Sequence, residues 1–152
     1  METEKIAREL NYLIIHNLDA QEAYIEAAGS AASKDLRDAM LDEAEKRGSY
    51  ARELQREVKA LGEEVAEDVS LVAMLNNVMQ GVRGWFRKPT DVKLVEECRQ
   101  GDDETIVAYD TVLQLGEKFM PSYIYNIIIK QRKEIGLTYQ ALIKYHEQQL
   151  AH

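Results

Sequence analysis

Val95, Cys98, Ile106, Tyr109 and Leu113 recur at about 100° per residue, so Lys93 to Leu115 reads as an amphipathic helix. Asp102 falls in the middle of its apolar face. A lone buried carboxylate is costly, so this helix cannot bury its face against apolar neighbours alone. Either a partner meets Asp102 or its pKa rises. The chain must therefore fold as several helices around a polar layer, and the other stripes should supply what meets Asp102.

The rest of the chain supplies three more long stripes. A first helix runs from about Thr3 to Ala28, with Ile6, Leu10, Leu13, Asn17, Tyr24 and Ala28 on one face. Ser33 is placed to cap a second helix from Lys34 to Leu61, striped by Leu36, Met40, Leu54, Val58 and Leu61 and stopped by Gly62. The short connection makes these two antiparallel neighbours. Glu63 to Val69 is acidic and unpatterned, which suits a longer crossover. The third helix comes in two pieces. Leu71 to about Arg87, capped by Asp68 or Ser70, is followed by a break at Pro89 and by Asp91 to Leu115 with Thr90 as cap and Gly116 as stop. The fourth starts near Pro121 and runs to about Leu150, striped by Ile124, Ile128, Ile135, Tyr139 and Leu142. The fold class is all-α, a four-helix bundle. At 152 residues, it suits one domain over 1–152.

Every stripe is interrupted by polar residues: Asn17 with Gln21 on the first, Glu43 and Arg47 on the second, Asp102 on the third, Gln131 on the fourth. Asn17 and Arg47 lie equally far from the first connection near Ala32, as do Gln21 and Glu43. An antiparallel pair should set Asn17 beside Arg47 and Gln21 beside Glu43. Asp102 and Gln131 are offset by about five residues in the second hairpin, roughly 7.5 Å, and need not touch. Arg47 is expected to be buried and to pair with Glu43 or Asp102, since its fork of donors can serve two carboxylates.

Such a layer reads either as an ion-pair and amide network that fixes helix register or as a site inside the bundle. A di-metal carboxylate centre needs Glu-x-x-His pairs. Leu13 precedes His16 by three residues and Ile143 precedes His146, while His152 ends the sequence. With Arg47 facing inward, a di-iron or di-manganese centre is not expected. A single metal ion held by Glu43, Asp102 and Gln131 stays open as an alternative; otherwise no cofactor is expected. Cys98 has no CxxC partner and reads as a structural cysteine in a reducing compartment. Met74, Met79, Trp85 and Phe86 form either core or a dimerisation patch.

A net charge of -8 argues against a nucleic-acid or anionic-membrane partner. The opening METEKIARELNY lacks a signal pattern and no run approaches a membrane span, so a cytoplasmic protein is expected.

Several residues in order carry a family resemblance. They are Leu10-Asn11, Leu13-Ile14, Glu22-Ala23-Tyr24, Glu53-Leu54, Leu61-Gly62, Cys98-x-x-Gly101-Asp102-Asp103, Tyr109 and Lys130-Gln131. Their order and spacing resemble the bacterial ferritin-like four-helix-bundle proteins described only as a domain of unknown function. The resemblance implies an up-down-down-up bundle with a crossover between helices 2 and 3, and no established activity or cofactor. Arg99 stands where that family usually has Glu, and Tyr139-Gln140 where it usually has His-Asp. The functional expectation is a non-catalytic helical bundle acting through self-association or a protein partner, of an interaction or stress-associated structural class. The alternatives are a metal-binding ferritin-like protein using inward carboxylates, and a small-molecule binder with its pocket beside Asp102 and Arg47.

Overall fold

The computed structural model describes residues 2–66 and 89–150. They form four helices: α1 Glu2–Ser30, α2 Lys34–Ala60, α3 Asp91–Gly116 and α4 Ser122–Leu150. The expected Leu71–Arg87 helix, its caps, the crossover and the group from Met74 to Phe86 lie outside the described residues. So does the helix that would have to precede a break at Pro89.

The helix ends follow local chemistry. Ser33 is extended and its hydroxyl accepts from the Leu36 N–H at 3.3 Å. Thr90 does the same for Lys93 at 3.2 Å. Leu61 is followed by Gly62 at φ 75°, the left-handed conformation glycine adopts without a Cβ penalty. The Glu63 and Gly62 N–H groups then donate back to Val58 and Lys59, closing a Schellman turn. Gly116 ends α3 for a different reason than a stop signal: a Cβ there would come within 2.7 Å of Met120 Sδ. Its lack of side chain lets the connection to α4 fold tightly.

The helix directions can be read from the bonds between helices. The Asp91 carboxylate accepts from the Ala32 and Ser33 N–H groups at 2.8 and 3.0 Å, so α3 begins at the α1–α2 connection. Tyr24 meets Asp102 and Asn17 meets Tyr109, which makes α3 antiparallel to α1. Arg99 meets Tyr139 and Tyr109 meets Gln131, so α4 returns antiparallel to α3. The four helices thus run up, down, down, up. Residues 63–66 fold back on α1, where Asn11 donates to the Glu64 carbonyl and accepts from the Ala66 N–H.

The interior repeats every seven residues. On α3 the buried set includes Val95, Cys98, Asp102, Thr105, Tyr109, Val112 and Gly116, spaced alternately by three and four. Ile106 and Leu113, expected on this face, are only partly buried. A bundle whose helices coil around one another follows a 3.5-residue period, so over four turns the seam drifts away from a straight 3.6-residue stripe. Thr105 takes the seam position and satisfies its hydroxyl on the Gly101 carbonyl at 3.1 Å. The core falls into two apolar clusters, one around Leu10, Leu54 and Ile128 and one around Met40, Ala44 and Val95. Burying each large side chain contributes roughly 1.5–3 kcal/mol. No helix among the described residues is long and apolar enough to cross a membrane.

Candidate functional site

Of the six polar residues expected on the inner faces, Asn17, Glu43, Arg47, Asp102 and Gln131 are buried and Gln21 is half-buried. They form two separate layers.

The first is charged and centred on Arg47, which has no exposed surface. Its Nε donates to Glu43 at 2.8 Å, and Nη1 and Nη2 donate to the two Asp102 oxygens at 2.8 and 3.0 Å. Arg47 therefore takes both expected acids at once. The Tyr24 hydroxyl donates to Asp102 at 2.5 Å, and the guanidinium carbon sits 5.2 Å from the Tyr24 ring centroid, a cation–π contact. Thr138 donates to the other Glu43 oxygen at 3.0 Å, which brings α4 into the layer. Burial works against the Arg47 charge, but Asp102's charge and bonds outweigh it and hold the guanidinium above its ordinary pKa. Burial and then Asp102's charge push the Tyr24 phenol well above its usual range.

The second layer is an amide–phenol chain. Asn17 Nδ2 donates to the Leu13 carbonyl at 2.9 Å and to the Tyr109 hydroxyl at 2.6 Å. Tyr109 donates to Gln131 Oε1 at 2.7 Å. Gln131 Nε2 donates to the Tyr50 carbonyl at 3.3 Å and to Glu53 at 2.8 Å. Asn17 Oδ1 is buried and has no partner among the described residues. Burial raises the Tyr109 phenol, partly offset by the bond from Asn17.

Two sequence expectations are corrected. Asn17 pairs with Tyr109 rather than Arg47, and the Gln21 amide packs against Gly48, where any Cβ would collide with it. Helical side chains lean toward their own N-terminus. In an antiparallel pair, α1 side chains lean away from the connection and α2 side chains lean toward it. Residues at equal Cα height therefore splay apart, and one expected layer becomes two. The second correction concerns the metal candidates. Glu43 and Asp102 share the Arg47 guanidinium, while Gln131 lies seven residues, roughly 10.5 Å, from the α4 residue that touches Glu43. The three do not converge, and no group of three or more His, Cys, Asp and Glu side chains placed to hold a metal occurs among the described residues.

Sequence reasoning missed Thr138 and Glu53. Thr138 follows Gln131 by one heptad, which was the available signal. Glu53 gave none beyond its place in the Glu53-Leu54 pair. Arg99 and Tyr139, the two departures from the resembled family, stand together: Arg99 Nη1 donates to the Tyr139 hydroxyl at 3.3 Å while Nη2 and Nε hold Glu96 at 2.6 and 2.9 Å. Those bonds hold the Glu96 carboxyl down to about 2.

A groove between α1 and α3 opens onto the charged layer. Its wider lobe, about 250 Å³, is floored by Tyr24, Cys98 and Asp102. A narrower lobe of about 100 Å³ adjoins it, sharing Ala23, Glu97 and Cys98. Burial, with Asp102's charge, pushes the Cys98 thiol up to about 12 and keeps it protonated.

No curated protein and no solved structure matches the chain. A family model does match, over residues 5–115, and the chain accordingly belongs to the family described as a domain of unknown function (DUF2383).

Proposed function

We propose that the protein is a non-catalytic helical bundle that works by association, with a second copy of the chain as its first partner and another protein as the wider class. The observation that carries this reading is on the outer side of α3. Val107 and Leu115 lie eight residues apart with Thr111 between them, on one side of the helix, and are 60% and 53% exposed. Leu137 on α4 is 65% exposed. Large apolar side chains left in water at this spacing suit a contact with another helix. Inside the bundle the charged groups Glu43, Arg47 and Asp102 are engaged with one another, which suits a scaffold whose working surface is external.

The up-down-down-up order of the four described helices supports a ferritin-like architecture, with a crossover between the second and third helices of the bundle.

Sedimentation at a series of concentrations tests association. The wild type should shift toward a dimer as concentration rises. Val107→Asp combined with Leu115→Asp should abolish the shift while helicity by circular dichroism is unchanged. A wild type that stays monomeric at every concentration would refute self-association.

A further inference from the structure

The face of the bundle formed by α3 and α4 divides its charge between the two helices. α3 carries seven carboxylates and two Lys or Arg side chains, while α4 carries four Lys or Arg side chains and two carboxylates. On the outer side the two helices repeat at the same spacing. Asp103, Val107 and Thr111 follow one another at intervals of four on α3, and Ile129, Lys133 and Leu137 do so on α4. Residues four apart are neighbours on one side of a helix. All six are exposed, and Ile129, at 43%, joins Val107 and Leu137 as a large apolar side chain left in water. Asp103 and Lys133 make no ion pair among the described residues.

The register between the helices is fixed inside one copy, where Arg99 meets Tyr139 and Tyr109 meets Gln131. Val107 is therefore about level with Lys133, Asp103 with Leu137 and Thr111 with Ile129. Resting on the association reading above, we propose that two copies pair through this face about a two-fold axis running along the helices, so that α3 of each packs on α4 of the other.

A two-fold along the helices leaves every residue at its own level. Lys133 of one copy then stands opposite Val107 of the other and within about one turn, roughly 5.4 Å, of Asp103 and Asp110. Leu137 comes within about one turn of Val107, so the exposed apolar side chains cover one another. Every contact occurs twice, and the pair closes on itself. The other two-fold, across the helices, lays α3 on α3 and α4 on α4. It sets carboxylates against carboxylates and lysines against lysines, which is costly, so charge selects the first arrangement.

The test is sedimentation equilibrium of the full chain at low salt, on wild type, Asp103→Lys, Lys133→Glu and an equimolar mixture of the two variants. Both positions are exposed, and circular dichroism should show unchanged helicity. Each variant alone should dimerise about tenfold more weakly than wild type, because a like charge now faces its partner at two places. The mixture should recover to within about threefold of wild type, since a heterodimer restores opposite charges at both places. Rising salt should weaken the wild-type dimer. A wild type that dimerises while both variants dimerise equally well would overturn this arrangement and leave the association reading standing. So would folded variants whose mixture fails to recover. A wild type that stays monomeric throughout would overturn both.

Discussion

The two polar layers occupy equivalent places and behave differently. Tyr24 and Asn17 are seven residues apart on α1, as are Asp102 and Tyr109 on α3 and Thr138 and Gln131 on α4. Each of these three helices therefore supplies the same seam position to both layers, roughly 10.5 Å apart. At one level the seam holds a guanidinium clamped by two carboxylates. At the next it holds amides and a phenol, with one carboxylate at the margin on Glu53 and one acceptor, Asn17 Oδ1, without a partner among the described residues. The backbone pattern decides where a polar layer sits. The chemistry of the side chains decides how much depends on it, because stranding a charge costs more than stranding an amide.

The contrast is sharpest when one member of the charged layer is removed. Arg47→Met should destabilise by about 3–5 kcal/mol, because Asp102 and Glu43 are left buried without their counter-charge. Arg47→Met combined with Asp102→Leu should cost much less than the two single effects together. Urea denaturation of the singles and the double measures the coupling. Simple additivity with small single effects would mean that the groups are solvated, and the charged layer would lose its special standing.

The neutral layer should give a smaller response of the same kind. Tyr109→Phe removes the acceptor for Asn17 and the donor to Gln131, and should cost about 1–3 kcal/mol. Asn17→Leu should cost less than Tyr109→Phe, since the amide oxygen it removes has no partner among the described residues. If Tyr109→Phe proves as damaging as Arg47→Met, charge is not what distinguishes the layers.

Much of this arrangement is legible in the sequence, and the limits have physical causes. The stripes of α1 and α2 and the caps at Ser33 and Thr90 follow from periodicity and local bonding. The seam of α3 does not: Thr105 and Val112 take it while Ile106 and Leu113 stand beside it, because supercoiling shifts the period from 3.6 to 3.5. Counting residues from the Ala32 connection ignores side-chain lean. Asn17 and Arg47 therefore separate into different layers, and Gln21 reaches Gly48. Thr138 and Glu53 look like ordinary surface residues in sequence, and only the partners across the bundle reveal their part.

The smallest expected effect uses Cys98 as a reporter of the charged layer, for which the neutral layer has no counterpart. Burial first, then Asp102's negative charge, raise this thiol to about 12, while Arg47's positive charge lowers it. An unfolded chain carries the thiol near its ordinary 9. Between these values the folded state binds a proton that the unfolded state has lost. Stability linked to Cys98 is thus fully present below pH 9 and drains away as pH rises toward 12, with a slope approaching about 1.4 kcal/mol per pH unit. By pH 10 the loss should be about 1 kcal/mol. Tyrosines contribute at higher pH, so the measurement compares slopes: denaturation of wild type and Cys98→Ala from pH 8 to 10 should show the steeper decline in wild type alone. Asp102→Asn should then move the thiolate absorbance of Cys98 to lower pH, since the charge that raises it is gone and the charge of Arg47 is no longer balanced. Tyr109→Phe, two turns away, should leave that titration where it was. Parallel slopes in wild type and Cys98→Ala would show that the thiol ionises in the folded chain as it does in the unfolded one, and that the groove beside Asp102 is open to water.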